Sequence, residues 1–185
     1  SIFLHLFYQD LFVIQILATH AAASPRFDGK VRSEDDGTYA SFFRPPFQSN
    51  HASTIEQLPD GGLAVAWFSG EKEEADRCAI VFAPLSKGSE QWSNASVISV
   101  QDGFSNQNPV LYYDKKDSLL HLYHSHAPAN SGEGNSVIYE LNSSDFGETW
   151  STPSLFPGGA SPGAFPRNRI IESLDDELLF PIYNA

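Results

Sequence analysis

The sequence predicts an all-β protein that forms part of a β-propeller. Its short apolar runs are separated by turns containing Asp, Gly or Ser, a pattern typical of β-hairpins. The pattern repeats, because Leu63, Leu119 and Leu178 open equivalent apolar runs at intervals of 56 and 59 residues. Four-stranded units at this period are typical of propeller blades. A β-sandwich would also contain many short strands, but it would not obviously repeat at this interval.

Each repeat begins with a predicted β-hairpin. The three hairpins cover residues 50–68, 107–126 and 167–185, and each starts with a polar pair followed by an apolar run, a turn and a second apolar run. The stretch "PDGG" at 59–62 is the strongest turn signal. We expect strands near residues 52–58, 62–68, 78–84, 108–113, 118–124 and 136–141.

A second pair of strands follows each of the first two hairpins. "CAIVFAP" and "ASVISV" follow the first hairpin, and "SVIYEL" and "TPSLF" follow the second. "NSSDFGETWS" at 142–151 is the turn between the later pair, and "SKGSEQW" is a decayed copy of it one unit earlier. A ring needs at least about four blades. Residues 45–185 supply about two and a half blades at the observed repeat length, so we expect a piece of a longer chain.

The first 24 residues differ from the rest. They are mostly apolar and end in the small residues of "THAAAS", which is typical of a secretory signal peptide, with an amphipathic helix as the alternative. His5 and Asp10 argue against a membrane span. We therefore predict a signal peptide at 1–24 that lacks its start, a lead-in at 25–44 and a propeller domain at 45–185.

The charge of the chain restricts its partners. Eleven basic and 23 acidic residues give a net charge of −12, which argues against nucleic acid or an anionic membrane surface as the main partner. A small anionic ligand held by one or two arginines is compatible with this charge. N-glycosylation sequons at Asn94 and Asn142 fit a secreted protein. Cys78 is the single cysteine, and we expect a buried, inert thiol.

One motif carries a family resemblance. "SSDFGETW" at 143–150 matches every defined position of the Asp-box, S-x-D-x-G-x-T-W, through Ser143, Asp145, Gly147, Thr149 and Trp150. Together with "NHASTIEQLPDGGLAVAWFSG", "NPVLYY" and "GAFPRNRII", it resembles the sialidase-like superfamily with neuraminidase-type (BNR) repeats. The resemblance implies a six-bladed propeller in which the Asp-box is structural: its acid closes a hairpin and its tryptophan packs between strands.

The resemblance also implies catalytic parts, and the sequence departs from some of them. The family's first inner strand carries an Arg-Ile-Pro motif whose arginine binds the substrate carboxylate. This sequence has "SNHAST" there, with His51 in place of the arginine and Arg44 close by. The family's tyrosine nucleophile and its glutamate partner belong to late blades, beyond residue 185. The loop position of the family's acid/base aspartate corresponds to Asp76.

The repeat predicts where a binding site lies. The first strand of every propeller blade lines the central channel, so the polar residues that begin the three repeats should converge. We expect His51, Asn108, Arg167 and Asn168 around one pocket, rimmed by the loops at 69–77 and 125–135.

Each predicted site residue has a chemical role and a simpler alternative. Asp76 is the acid/base candidate, since clustered carboxylates such as Glu71 raise one another's pKa, and Glu71 is also expected to contact substrate. The alternative for both is a solvated acidic loop. Arg167 can bind a carboxylate or sulfate bidentately. His51 is either a proton shuttle or a structural histidine, and Asn108 either contacts substrate or ties adjacent blades together.

We predict neither a metal nor a cofactor. His124 and His126 lie on one side of their strand and His121 on the other, which splits the only histidine cluster, and no cysteine is near. The glycines of "GGASPGAFP" lack the spacing of a phosphate-binding loop. Trp67, Trp92 and Trp150 are interpreted as core or inter-blade packing.

The leading hypothesis is a secreted or endolysosomal sialidase-like glycosidase. It would hydrolyse terminal, acidic sugars of glycans without a cofactor, and this piece of the chain alone would be inactive. The alternative is a non-catalytic glycan-binding or scaffold propeller, which the replacement of the expected arginine by His51 favours. In both cases we expect a glycan partner, no nucleic acid and no membrane span in the mature protein.

Overall fold

The computed structural model describes residues 2–6, 12–16 and 26–185. Before the first repeat, the described strands form one sheet in the order β1-β2-β4-β3, with β1 at Ile2–Leu6, β2 at Phe12–Ile16, β3 at Arg32–Ser33 and β4 at Tyr39–Ser41. The predicted signal peptide falls mainly outside the described residues, so it stays a prediction. No helix among the described residues is long and apolar enough to cross a membrane.

The first repeat is a four-stranded antiparallel sheet, which we call blade 1. Its strands pair in chain order: β5 (Ser49–Gln57), β6 (Leu63–Gly70), β7 (Ala79–Leu85) and β8 (Ser96–Ser99). The predicted "PDGG" turn joins β5 to β6. There the Asp60 carboxylate accepts a hydrogen bond from the Gly62 N–H at 2.9 Å, which closes the turn.

The second repeat is a sheet of the same kind, blade 2. Its strands also pair in chain order: β9 (Phe104–Asp114), β10 (Leu119–Pro128), β11 (Val137–Ser143) and β12 (Ser154–Leu155). A one-turn 3₁₀-helix, η1 (Glu133–Asn135), lies between β10 and β11. All six predicted strands are confirmed, with ends that differ from the prediction by at most four residues.

The third repeat contributes a hairpin interrupted in its middle. After a second 3₁₀-helix, η2 (Pro157–Gly159), strand β13 (Ala164–Pro166) pairs with β16 (Ile182–Asn184), and β14 (Ile171–Glu172) pairs with β15 (Leu178–Leu179). The prediction of a continuous hairpin over 167–185 is therefore wrong in detail. Pro166 and Pro181 carry no backbone N–H and cannot donate to the ladder, which accounts for the gap. Residues 167–170 lie in that gap, outside both pairs of strands.

Two apolar clusters cover opposite faces of blade 1. On one face Phe68 and Phe82 pack against Leu111 and Leu122 of blade 2, which joins the two blades. The other face carries Trp67 and Trp92, and Phe43 of the lead-in lies against both rings, at centroid distances of 5.6 and 5.2 Å. The lead-in thus covers the face of blade 1 that blade 2 leaves free. Two and a half blades of an all-β propeller are present, as predicted.

Candidate functional site

The inner strands of the first two repeats and the gap in the third hairpin meet at one cavity of about 530 Å³. Blade 1 supplies His51–Ile55 and Phe68, blade 2 supplies Asn108–Val110, and the gap in the third hairpin supplies Arg167–Arg169. Two loop residues complete the wall: Glu73, after β6, and Glu133, on η1. The structure therefore brings together His51, Asn108, Arg167 and Asn168, and both loops expected at the rim contribute a carboxylate.

The first two inner strands each carry a bulge at the cavity. In β5 the bulge lies between His51 and Thr54, and in β9 it lies opposite the step from Tyr123 to Ser125 of β10. Ala52 and Asn108 occupy these bulges with φ angles of 51° and 50°. The other non-glycine residues with positive φ in the described part lie in turns or bends. A residue other than glycine adopts this backbone conformation at a free-energy cost of roughly 1–2 kcal/mol. The contacts of the surrounding fold must therefore keep Ala52 and Asn108 in it.

His51 presents an exposed imidazole on an aromatic base. Its ring stacks on the buried ring of Phe68, with centroids 5.4 Å apart and planes 17° from parallel. The neighbouring Asn50 has a different role, since its side-chain oxygen accepts a hydrogen bond from the Trp67 indole N–H at 3.0 Å. Of the polar pair that starts the first repeat, only His51 faces the cavity.

Both arginines of the cavity lie beside carboxylates of the protein. Arg167 Nη1 is 3.7 Å from Glu133 Oε1, and both side chains are about half exposed. The Arg167 guanidinium also lies 6.0 Å from the centre of the Phe165 ring. Arg169 Nη2 is 3.3 Å from Glu56 Oε2. Glu56 is mostly buried, and burial raises the pKa of its carboxyl above its usual range despite the arginine.

Asp76 and Glu71, two of the predicted site residues, do not line the cavity. The Asp76 carboxylate instead accepts a hydrogen bond from the Gly103 N–H at 2.6 Å and so ties its loop to the turn between β8 and β9. Glu71 follows β6 directly and is exposed. The acid that this loop directs into the cavity is Glu73, two residues beyond Glu71. The sequence could not single out Glu73, because the loop "EKEEAD" contains four acidic residues and no local pattern shows which of them enters the cavity.

A chain of buried hydrogen bonds connects the two blades. His124 Nδ1 donates to the Ser125 carbonyl at 2.9 Å, which leaves Nε2 to accept from the Ser99 hydroxyl of blade 1 at 3.0 Å. Asn106 donates to Ser99 at 3.3 Å and accepts from His126 Nδ1 at 2.7 Å. Burial lowers the pKa of His124 to about 4. Both histidines are thus neutral structural groups at neutral pH.

The Asp-box closes the turn between β11 and β12 as predicted. Asp145 accepts hydrogen bonds from the Thr149 N–H at 2.9 Å, from the Thr149 hydroxyl at 2.6 Å and from the Ser143 hydroxyl at 2.7 Å. These bonds hold the pKa of Asp145 at about 2. Gly147 has a φ of 94°, and a Cβ there would lie 2.3 Å from the Phe82 ring of blade 1. The turn is therefore built to fit the neighbouring blade.

One group of side chains elsewhere has the composition of a metal site. Ligand atoms of Asp114, Asp117 and His121 lie within 4.8 Å of one another at the turn between β9 and β10, away from the cavity wall. The turn itself accounts for them. Asp114 accepts from the Lys116 N–H at 2.7 Å, and Asp117 accepts from the Leu119 N–H at 2.9 Å. His121 Nε2 lies 3.1 Å from the second Asp117 oxygen, on the other side of the strand from His124 and His126.

A family model for the BNR repeat-like domain matches residues 61–185. The chain belongs to the BNR repeat-like family. The match covers both blades from β6 onward and the third hairpin, so the repeat, the Asp-box and the family model agree. No curated protein matches the chain.

Solved structures with a similar fold extend the comparison. The Hadza microbial sialidase Hz136 aligns with a TM-score of 0.63 and 14% identity over 79% of this chain and 36% of its own. An N-acetylgalactosamine deacetylase from F. plautii, solved with blood group B trisaccharide, aligns with a TM-score of 0.53 and 10% identity over 84% and 53%. A Dyadobacter fermentans protein of unknown function aligns with a TM-score of 0.52 and 16% identity over 71% and 47%. The chain thus spans about a third to a half of these proteins, and the likeness is one of fold.

Proposed function

We propose that the cavity between the inner strands binds glycans and that the full-length protein is a sialidase-like glycoside hydrolase acting on terminal acidic sugars. The observation that carries this proposal is the convergence of His51, Asn108 and Arg167, one from each repeat, on one cavity. Two inner strands and the segment that follows β13 bring an aromatic-backed imidazole, an amide and a cation together, and each can contact a different group of a sugar.

The cavity offers the chemistry that an acidic sugar needs. A guanidinium such as that of Arg167 binds a carboxylate through two parallel hydrogen bonds. The amides of Asn108 and Asn168 can bind sugar hydroxyls, and the apolar wall formed by Ile55, Phe68 and Val110 can contact a sugar face. The strained backbone of Ala52 and Asn108 supports the assignment, because such conformations concentrate at functional sites.

Glu73 is the proposed general acid of this cavity, with Asp76 as the alternative from the same loop. Proton donation to a leaving group requires a carboxyl within about 3 Å of the departing oxygen. Glu73 lines the cavity and Asp76 bonds to the Gly103 N–H. A sialidase-like reaction also needs a tyrosine nucleophile, which the family resemblance assigns to late blades.

A secreted or endolysosomal location goes with this function. The acceptor side chains Asn94 and Asn142 of the two sequons are exposed, as glycosylation requires. The proposed partner is a glycan or glycoconjugate.

A non-catalytic glycan-binding or scaffold propeller is the second candidate function. His51 stands where the resemblance leads us to expect a substrate-binding arginine, and Arg167 and Arg169 each already lie beside a carboxylate. A cavity arranged in this way can bind a glycan without turning it over.

Activity of the full-length protein on sialosides, other acidic glycosides and their neutral counterparts tests the proposal. Glu73→Gln should lower turnover on the order of 10²-fold if Glu73 donates the proton, whereas Asp76→Asn should do so if Asp76 does. Arg167→Ala should mainly weaken binding, and Glu148→Gln, an exposed acid outside the cavity, is the matched control. Binding without turnover would favour the scaffold function. Neither binding nor turnover of any glycan would exclude both functions.

A further inference from the structure

Arg167, one of the two arginines of the cavity, lies beside a carboxylate of the protein itself. Glu133 Oε1 lies 3.7 Å from Arg167 Nη1, and both residues line the cavity. We propose that Glu133 is a specificity-determining residue that stands in for a ligand carboxylate at Arg167, so that an acidic sugar must displace it. This inference rests on the proposed glycan site, and it adds a residue that neither the Asp-box nor the sialidase-like motifs involve.

The backbone that carries Glu133 is fixed to the strand that leads to Arg167. The Ser136 hydroxyl lies 2.7 Å from the Glu133 carbonyl oxygen and 3.0 Å from the Ala164 carbonyl oxygen of β13. At the other end of the loop, the Asn130 N–H donates to the Glu74 carbonyl at 2.8 Å. These hydrogen bonds therefore hold the backbone of Glu133 close to the strand that precedes Arg167.

The Glu133 side chain, in contrast to its backbone, is free to move. It is 42% exposed, and Gly132 and Gly134 on either side have no atom within 4 Å of an added Cβ. The second ion pair of the cavity provides the comparison. Glu56 lies within β5, its side chain is only 15% exposed, and it sits 3.3 Å from Arg169. A ligand can thus displace the exposed Glu133 side chain by rotation, whereas the mostly buried Glu56 side chain has less room to rotate away from Arg169.

The consequence is a preference set by competition. An exposed ion pair contributes little, up to about 1 kcal/mol, so the competing carboxylate should weaken the binding of an acidic ligand by a small factor. A neutral sugar that does not use Arg167 should not be affected. Glu133 would then reduce the discrimination that Arg167 provides between acidic and neutral sugars.

A matched pair of sugars measures this competition. Methyl β-D-glucuronide and methyl β-D-glucoside differ at one carboxylate, and their dissociation constants can be determined by NMR titration of the full-length protein. The variants are Glu133→Gln, Arg167→Ala, the double variant, and Glu148→Gln as a control that removes the same charge elsewhere on blade 2. Titrations at low and high salt separate a local effect from a change in net charge.

Glu133→Gln should tighten glucuronide binding about three- to fivefold, leave glucoside binding unchanged, and lose its effect in the Arg167→Ala background. The inference is overturned if Glu133→Gln and Glu148→Gln change glucuronide binding equally, or if neither changes it. In those cases binding of both sugars to the wild type would still support the proposed glycan site. Absence of binding of both sugars to every variant would overturn the inference and count against the glycan site as well.

Discussion

The indole of Trp150 in blade 2 meets the ring of Phe82 in blade 1 edge-on, with centroids 5.1 Å apart and planes 78° from parallel. The Asp-box thus ends in a contact between blades. The corresponding tryptophan of blade 1, Trp92, makes the same kind of edge contact with Phe43 of the lead-in. Each of these turns therefore anchors its blade to the element that precedes it in the chain.

Replacement of Trp150 by alanine should lower the free energy of unfolding by about 3 kcal/mol, because it removes a large ring from the cluster between the blades. Trp150→Phe keeps a ring against Phe82 and removes a buried indole N–H that has no partner among the described residues. It should cost less than about 1.5 kcal/mol. Equilibrium unfolding in urea measures both values. Equal stability of Trp150→Ala and the wild type would show that the contact does not hold the blades together.

The Asp145 carboxylate should make stability depend on pH at the acid end. Hydrogen bonds from Thr149 and Ser143 lower its pKa from 3.8 to about 2. The unfolded chain therefore binds more protons than the folded chain between these values, and the free energy of unfolding should fall as the pH falls from about 4 to 2. Thermal melts of the wild type and Asp145→Asn over this range test it. The difference in melting temperature between the two proteins should shrink with decreasing pH, and a constant difference would argue against the role of the carboxylate.

His124 should make the free energy of unfolding depend on pH in a second range, closer to neutral pH. Burial lowers its pKa from 6.5 to about 4. Between these pH values the unfolded chain therefore binds a proton at His124 that the folded chain does not bind. The free energy of unfolding should therefore decrease as the pH falls from 6.5 to 4, by up to about 3 kcal/mol. His124→Asn should flatten this dependence in part, since burial also lowers the pKa of His126. His121→Gln, near the start of β10 on the other side of the strand, should leave this pH dependence intact. A wild-type stability that is constant over this range would contradict the prediction.

Much of the fold could be predicted because its signals are local. Turn residues such as Asp60 and Asp145 bond to their own backbone, and the alternation of apolar residues fixes which face of a strand is buried. The third hairpin was predicted less well. Its hydrogen-bond ladder is interrupted near Pro166 and Pro181. Strand pairing needs backbone N–H donors, and the spacing of apolar residues does not show where these donors are missing.

The site could be predicted only as far as the repeat reaches. His51 and Asn108 sit on inner strands, and Arg167 and Asn168 directly follow β13, all at positions that the repeat makes equivalent. Glu73 and Glu133 sit on loops, and which side chain of a loop enters a cavity depends on its turns and on tertiary hydrogen bonds. The hydrogen bond from the Gly103 N–H to Asp76 joins residues 27 positions apart, and no local sequence pattern predicts it.

Glycan binding by single variants from each repeat tests the central claim most directly. The glycan that binds the full-length protein best in the activity panel would be titrated by calorimetry into the wild type and into His51→Ala, Asn108→Gly and Arg167→Ala. Glycine at 108 retains the positive φ, and Lys87→Ala is an exposed control outside the cavity. Each of the three variants should weaken binding about fivefold or more without loss of stability, and the control should not weaken binding. Unchanged affinity in all three would contradict a glycan site formed where the three repeats converge.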